Sequence, residues 1–307
     1  MDQKSIRLGC LCAAVSETIF GCSFLFTKGA AGRVSALTLL SWRFTVAFLA
    51  MTVLIALRVL RVRYRGKPLR ILFPIALLQP VIYFSCETAG IYLTTAAESG
   101  TIIAAIPVVT VFCSALLLRK PPTRRQVSGI LIAMTGVAVT VLTQHGRATL
   151  NPAGYALLFM AVLAHSLYTV CVSRAGAFTG IELTYAMMAA GAFVFTALAA
   201  AAHAAAGTLR TYLTLPLTDS AFLTAVLYLG LFSSVGAFFL CNTAVSLIGT
   251  NRTATFAGLA AAVSVLLGVT VLGEPFSSGQ FAGVAAILAG VYLSNRQEKD
   301  KKSRPAV

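Results

Sequence analysis

The sequence predicts an all-α membrane protein of ten transmembrane helices, arranged as two inverted five-helix repeats. Three observations carry that prediction. The 307 residues are 58% hydrophobic and only 11% charged, with mean hydropathy +0.87, whereas globular domains carry about 25% charge. Apolar stretches recur at about 20 residues each, the length at which a helix crosses the hydrocarbon. The second half of the chain also repeats residue patterns of the first. The composition excludes a soluble enzyme, a secreted disulfide scaffold and a disordered chain.

Ten spans follow in order, at about 8–27, 36–57, 71–92, 98–118, 127–143, 153–173, 183–206, 221–246, 251–272 and 279–294. Backbone groups in hydrocarbon must pair internally, and the alternation of barrel strands is absent, so the spans are helices. The first carries Glu17 about nine residues in, which a rise of about 1.5 Å per residue places near midplane. The second holds Trp42 and Arg43. The third spaces Gln79, Tyr83 and Glu87 four apart, a polar stripe on one helix face, with Pro74 and Pro80 to bend it. The fourth opens at Glu98. The sixth carries His165, Tyr168 and Thr169. The eighth spaces Gly230, Ser234, Phe238, Asn242 and Ser246 four apart. The fifth and tenth hold Gly129 with Gly136 and Gly283 with Gly290, small faces suited to close helix packing or a homodimer.

The seven cysteines all fall in apolar stretches without a Cys-x-x-Cys pair, and His145, His165 and His203 lie far apart. No metal and no cofactor are expected, and no G-x-x-x-x-G-K-[ST] motif supplies a nucleotide site.

Orientation follows from the 24 basic residues. With both termini in the cytoplasm, Lys4 and Arg7, the basic loops 58–70 and 119–125, Arg174, Arg252 and the basic tail 296–307 lie inside a plasma (inner) membrane. The net charge of +15 is therefore a topology signal and not a nucleic-acid footprint; the 58–70 loop also suits anionic lipid.

A shift of 154 residues places Pro121 on Pro275, Gln126 on Gln280, Gly129 on Gly283 and Gly136 on Gly290. Lys28 falls on Arg174 at a shift of 146. The halves are 1–145 and 151–295, each of five spans. Five is odd, so the second half enters the membrane upside down. Glu98 and Lys120 of the first half correspond to Arg252 and Glu274 of the second, a sign swap at both positions that inverted insertion demands.

The endings Leu118-Arg-Lys-Pro-Pro-Thr-Arg-Arg-Gln126-x-x-Gly129 and Leu272-Gly-Glu274-Pro275-x-x-x-x-Gln280-x-x-Gly283, with Gly21…Lys28, Arg43 and Ala96…Pro107, resemble the EamA repeat of the drug/metabolite transporter superfamily. The resemblance implies ten helices, no ATPase module, and export or exchange of small metabolites such as amino acids. Phe20-Gly21 stands where that family has Trp-Gly, and Lys120 where its first repeat usually ends in Glu.

Charge at membrane depth points to function. Glu17 reads as a proton site or a counter-charge for an amino group, or as a carboxyl held within the bundle. Arg43 is expected to pair with Glu87, with Glu98 as rival partner, as a gating ion pair or a scaffold bridge. Gln79, Tyr83, Glu87, His165, Tyr168, Ser234, Phe238 and Asn242 are the pathway candidates. The expected activity is secondary transport of amino-bearing or cationic solutes, with protons as a second partner. The alternative is an intramembrane lipid- or prenyl-modifying enzyme.

Overall fold

The computed structural model describes residues 3–94, 96–103, 105–119, 122–143, 151–272 and 278–295, and the regular structure among the described residues is helical. In chain order the helices are α1 (Gln3–Ala30), α2 (Ala36–Ala56), α3 (Leu69–Leu93), α4 (Ala96–Ile103), α5 (Ile106–Leu118), α6 (Arg124–Leu142) and α7 (Pro152–Arg174), then α8 (Gly180–Ala205), α9 (Leu209–Thr218), α10 (Ser220–Ile248), α11 (Thr250–Ala254), α12 (Ala257–Leu272) and α13 (Ser278–Asn295). Seven runs among the described residues are long and apolar enough to cross a membrane: α1, α2, α3, α7, α8, α10 and the α11–α12 run Thr250–Val271.

Local chemistry sets several boundaries. Ser35 and Asn151 accept from the amides of Thr38 and Gly154 at the starts of α2 and α7, and Thr179 with Glu182 forms a capping box on α8. The expected fourth span comes as two helices, and Pro107 in the first turn of α5 suits a helix start there. The ninth likewise divides at Thr255–Phe256. One helix was not expected at all. Gly207, at φ +67°, ends α8 in the left-handed conformation, and α9 follows in what the sequence marks as a connection. It is pinned by Tyr212, whose carbonyl accepts from Trp42 Nε1 at 3.3 Å and whose hydroxyl donates to Ser41 at 3.1 Å.

The packing repeats itself across the two halves. Helix α1 lies against α10 and α12, while α7 lies against α3 and α5; α2 packs on α8. A methyl at Gly9 would stand 2.5 Å from Ile248 Cγ2, and one at Gly154 would stand 2.7 Å from Thr94 Cγ2. Thr94 and Ile248 are 154 residues apart and Gly9 and Gly154 are 145 apart, so a glycine near the start of each of α1 and α7 meets the end of a helix, α10 and α3 respectively. The crossing of α6 and α13 is reciprocal: Gly136 faces the Gly283 carbonyl, Gly290 faces the Gly129 carbonyl, and Gly279 faces Thr143. The two helices therefore run antiparallel, and the small faces considered for a homodimer are turned on each other within one chain.

Basic segments gather at one end of the bundle. Glu182 organises it: its carboxylate accepts from the amides of Arg63 at 2.9 Å and Thr179 at 2.8 Å and from Lys67 Nζ at 2.5 Å, and its carbonyl accepts from the Tyr64 hydroxyl at 2.7 Å. That fixes the 58–70 loop over the start of α8. Arg174 donates to the Leu117 carbonyl at the same end. At the opposite end Arg33 pairs with Asp219 at 3.6 Å, and Lys28 donates to the carbonyls of Ile91, at 3.1 Å, and Thr94. Lysines 120 and glutamate 274 of the sign-swap comparison, that is Lys120 and Glu274, lie outside the described residues, as does the tail 296–307.

Candidate functional site

Helix α3 is interrupted where its sequence requires it. Pro80 has no amide hydrogen to give, and the residue before a proline is driven from helical to extended backbone. Gln79 sits there at φ −146° and ψ 115°, between π-helical turns spanning Leu77–Ile82. The interruption turns the Gln79 amide inward at a point where the side chain is only 1% exposed, and neither its nitrogen nor its oxygen finds a partner among the described residues. The corresponding part of α10, Tyr228–Ala237, is also widened into π-helical turns, which frequently mark functional sites.

Gln79 faces a cavity that α1, α3, α7 and α10 enclose with help from α4, α5 and α12. Its polar lining is Glu17, Ser23, Gln79, Tyr83, Glu87 and His165; its apolar lining includes the rings of Phe20, Phe24, Phe84 and Phe238. The cavity is contracted to about 20 Å3, on the order of one water molecule. Tyr83 donates to Glu87 at 2.5 Å. Glu17 is 7% exposed and makes no hydrogen bond through its carboxyl among the described residues. His165 Nδ1 has no hydrogen-bond partner among the described residues, and the ring lies between those of Tyr83 and Tyr168, at centroid distances of 5.4 and 5.6 Å.

Below the cavity the Tyr168 hydroxyl donates to Asn242 Oδ1, and Asn242 Nδ2 donates to Thr184 at 3.0 Å. Asn242 also lines a vestibule of about 790 Å3, bounded by the ends of α7 and α10, the starts of α1, α6 and α8, and Arg252. The Tyr168–Asn242 bond thus links a vestibule-lining residue to the neighbour of His165, which lines the chamber.

The pathway candidates Glu17, Gln79, Tyr83, Glu87, His165 and Phe238 share one cavity, Asn242 lines the vestibule, and Tyr168 packs on His165 and hydrogen-bonds Asn242. Arg43 differs from expectation. It is 2% exposed, and it donates through Nε to Ser234 at 2.8 Å and through Nη2 to Ser233 at 2.9 Å. Its guanidinium lies 4.1 Å from the centroid of the Phe84 ring, a cation–π arrangement. Glu87 takes the Tyr83 hydroxyl instead, so the direct Arg43–Glu87 ion pair is not formed, although the two groups stay within electrostatic reach. The reason is geometric: widened turns in α10 bring two consecutive hydroxyls to one side. The Glu98 side chain lies outside the described residues. The rings of Phe20, Phe24 and Phe84 and the Ser233 hydroxyl were missed by sequence reasoning, because a phenylalanine facing lipid and one facing a cavity look alike in an apolar span.

The profile of the EamA-like transporter family matches residues 7–142 and 152–296, once for each half. This chain belongs to the EamA-like transporter family. Among its relatives are an uncharacterized transporter, YcxC, of Bacillus subtilis (strain 168), 32% identical over 97% of this chain and 96% of its own length, and an uncharacterized transporter of Archaeoglobus fulgidus, 24% identical over 92% and 97%. A probable terminal-alkyne amino-acid exporter of Streptantibioticus cattleyicolor is 27% identical over 66% of this chain and 65% of its own. A crystal structure matches with a TM-score of 0.66 at 19% identity, over 96% of this chain and 97% of that one, which shows a shared fold. The EamA chain is thus an integral multi-pass membrane transporter, not an enzyme, and the lipid-modifying alternative falls away.

Proposed function

We propose that this chain is a secondary transporter that exports or exchanges small amino-bearing solutes, amino acids among them, by alternating access of two inverted five-helix repeats. The observation that carries the reading is the chamber itself. An unpaired glutamine amide, an unbonded carboxyl and an open imidazole nitrogen converge on one apolar, ring-lined space. Glu17 offers an acceptor and countercharge to an ammonium group, Gln79 offers both donor and acceptor, and the phenylalanine rings attract a cation through their faces. The amino-acid exporter among the relatives fits that chemistry.

Ten spans and inverted halves are supported by the Gly9–Ile248 and Gly154–Thr94 contacts and by the antiparallel α6–α13 crossing. The gathering of basic segments at the vestibule end supports cytoplasmic termini, since cytoplasmic loops carry the excess of Lys and Arg. In this orientation the vestibule opens inward. Binding near the meeting of the repeats, with rocking to expose it alternately, is the mechanism such an architecture uses. Glu17 and His165 are the groups through which a proton would couple.

Reconstituted protein tests this directly. Flux of a panel of amino acids and simple amines is measured in proteoliposomes, with and without a proton gradient. Glu17→Gln and Gln79→Ala are expected to lower amine-dependent flux by about tenfold or more, the worth of one charge-assisted hydrogen bond. Unchanged flux in Glu17→Gln, Gln79→Ala and Glu87→Gln together would remove the chamber from the transport path.

A further inference from the structure

The two ends of the molecule differ in one respect that the repeat makes informative. At the end away from the vestibule, Lys28 at the last turn of α1 donates to the carbonyls of Ile91 and Thr94 at the C-terminal end of α3. Helix C-termini carry unpaired carbonyls and partial negative charge, which a cation can cap. The counterpart of Lys28 is Arg174, at the last turn of α7, and shifting Ile91 and Thr94 by 154 residues gives Val245 and Ile248, at the end of α10. If the repeats were in equivalent states, Arg174 would cap that end. It does not. The vestibule lies between the ends of α7 and α10, with Val172, Ser173, Val245 and Ile248 on its walls. Arg174 is instead turned to the Leu117 carbonyl, at the end of α5.

We propose that Lys28 and Arg174 are alternating gate latches, each of which closes its own end of the transporter by capping a helix end of its own half, α3 for Lys28 and α10 for Arg174. The two-repeat reading above is its basis, and the same symmetry specifies the opposite state. There Arg174 leaves Leu117 for the carbonyls of Val245 and Ile248 and shuts the vestibule. Lys28 leaves Ile91 and Thr94 for Val271, the residue that the 154-residue shift assigns to Leu117, and the other end opens. Lysine and arginine suit the task because their long stems swing between carbonyl sets while the charge stays near the polar edge of the bundle. Neither residue touches the chamber, so both act by positioning helices.

Spin-label distances read the gates without any solute. Labels go on Ser173→Cys with Ser246→Cys across the vestibule, or on Ala31→Cys with Leu93→Cys at the other end. The background is full-length protein with its native cysteines replaced by alanine, in lipid nanodiscs. The native chain is expected to be wide at the vestibule and narrow at the far end. Lys28→Met is expected to move the ratio of closed to open vestibule by about tenfold, the effect of losing two charged hydrogen bonds in this state and one in the other, with the far pair widening. Lys28→Arg restores the native distribution, and Arg174→Met keeps or increases the wide-vestibule population. A native distribution in Lys28→Met, or a shift of Lys28→Met and Arg174→Met in the same direction, overturns the latch assignment. Because no solute enters the measurement, its failure is distinct from failure of the flux panel.

Discussion

Replacing Gly290 by alanine tests the crossing on which the two-fold arrangement depends. A methyl there would lie 2.4 Å from the Gly129 carbonyl oxygen, 2.6 Å from the Ala133 amide nitrogen and 2.8 Å from Ala133 Cβ, where ordinary contact begins at 3.4 Å. Backbone atoms cannot rotate aside, so α6 and α13 must separate by several tenths of an ångström or more. Overpacking of this kind costs about 1–3 kcal/mol, offset by about 0.5–1 kcal/mol of helix preference for alanine over glycine. A net loss of about 0.5–2 kcal/mol is expected. Gly136→Ala meets the Gly283 carbonyl at 2.5 Å and the Ile287 amide at 2.7 Å and should lose a similar amount. The double variant should lose less than the sum, since one separation relieves both contacts. Gly29→Ala is the control: nothing stands within 4 Å of its methyl, so stability should hold or rise. Denaturant unfolding in detergent micelles measures all four. A Gly290→Ala protein as stable as Gly29→Ala would refute the crossing.

Three further outcomes are expected. Ser233→Ala with Ser234→Ala strips the buried Arg43 of both side-chain acceptors, and should cost about 1.5–3 kcal/mol per bond in unfolding free energy; Ser→Thr at either position, which keeps the hydroxyl, should cost less. Glu182→Ala releases the 58–70 loop from the amides of Arg63 and Thr179 and from Lys67, so its amide-exchange protection and its resistance to trypsin should both fall by about tenfold. The Phe222 amide, which donates to Asp219 at 3.0 Å, and then the Arg33 guanidinium hold the Asp219 carboxyl below its ordinary value. A depressed carboxylate adds stability that is present above about pH 3.9 and is lost as pH falls through the lowered value. The melting-temperature gap between native protein and Asp219→Ala should therefore be flat near neutrality and narrow only in strong acid.

Much of this architecture is legible in the amino-acid order. The 154-residue shift aligns Gly129 with Gly283 and Gly136 with Gly290 and so marks the small faces, but the contact runs crosswise, Gly136 on Gly283 and Gly290 on Gly129, which the sequence reading did not foresee. Pro80 announces the interruption at Gln79, and four-residue polar spacing puts Gln79, Tyr83 and Glu87 on the chamber wall. Arg43 was misread because opposite charge suggests a partner but not its direction: ordinary helical geometry turns consecutive residues about 100° apart, whereas the widened turns of α10 present Ser233 and Ser234 together. Helix α9 went unseen because its ten residues are too short to span and Arg210 and Pro216 read as parts of a connection. The unequal gates have no sequence signal, since one amino-acid order must encode both states.

The unpaired Gln79 amide has a practical consequence. Buried hydrogen-bonding capacity left unused costs about 1–3 kcal/mol, and a compound that engages it stabilises the folded protein in proportion to the logarithm of its concentration over its dissociation constant. Candidate cargo can therefore be ranked by differential scanning fluorimetry on the purified carrier, ahead of any vesicle work, with Gln79→Leu as the insensitive reference. Compounds whose thermal upshift survives that substitution are bound elsewhere.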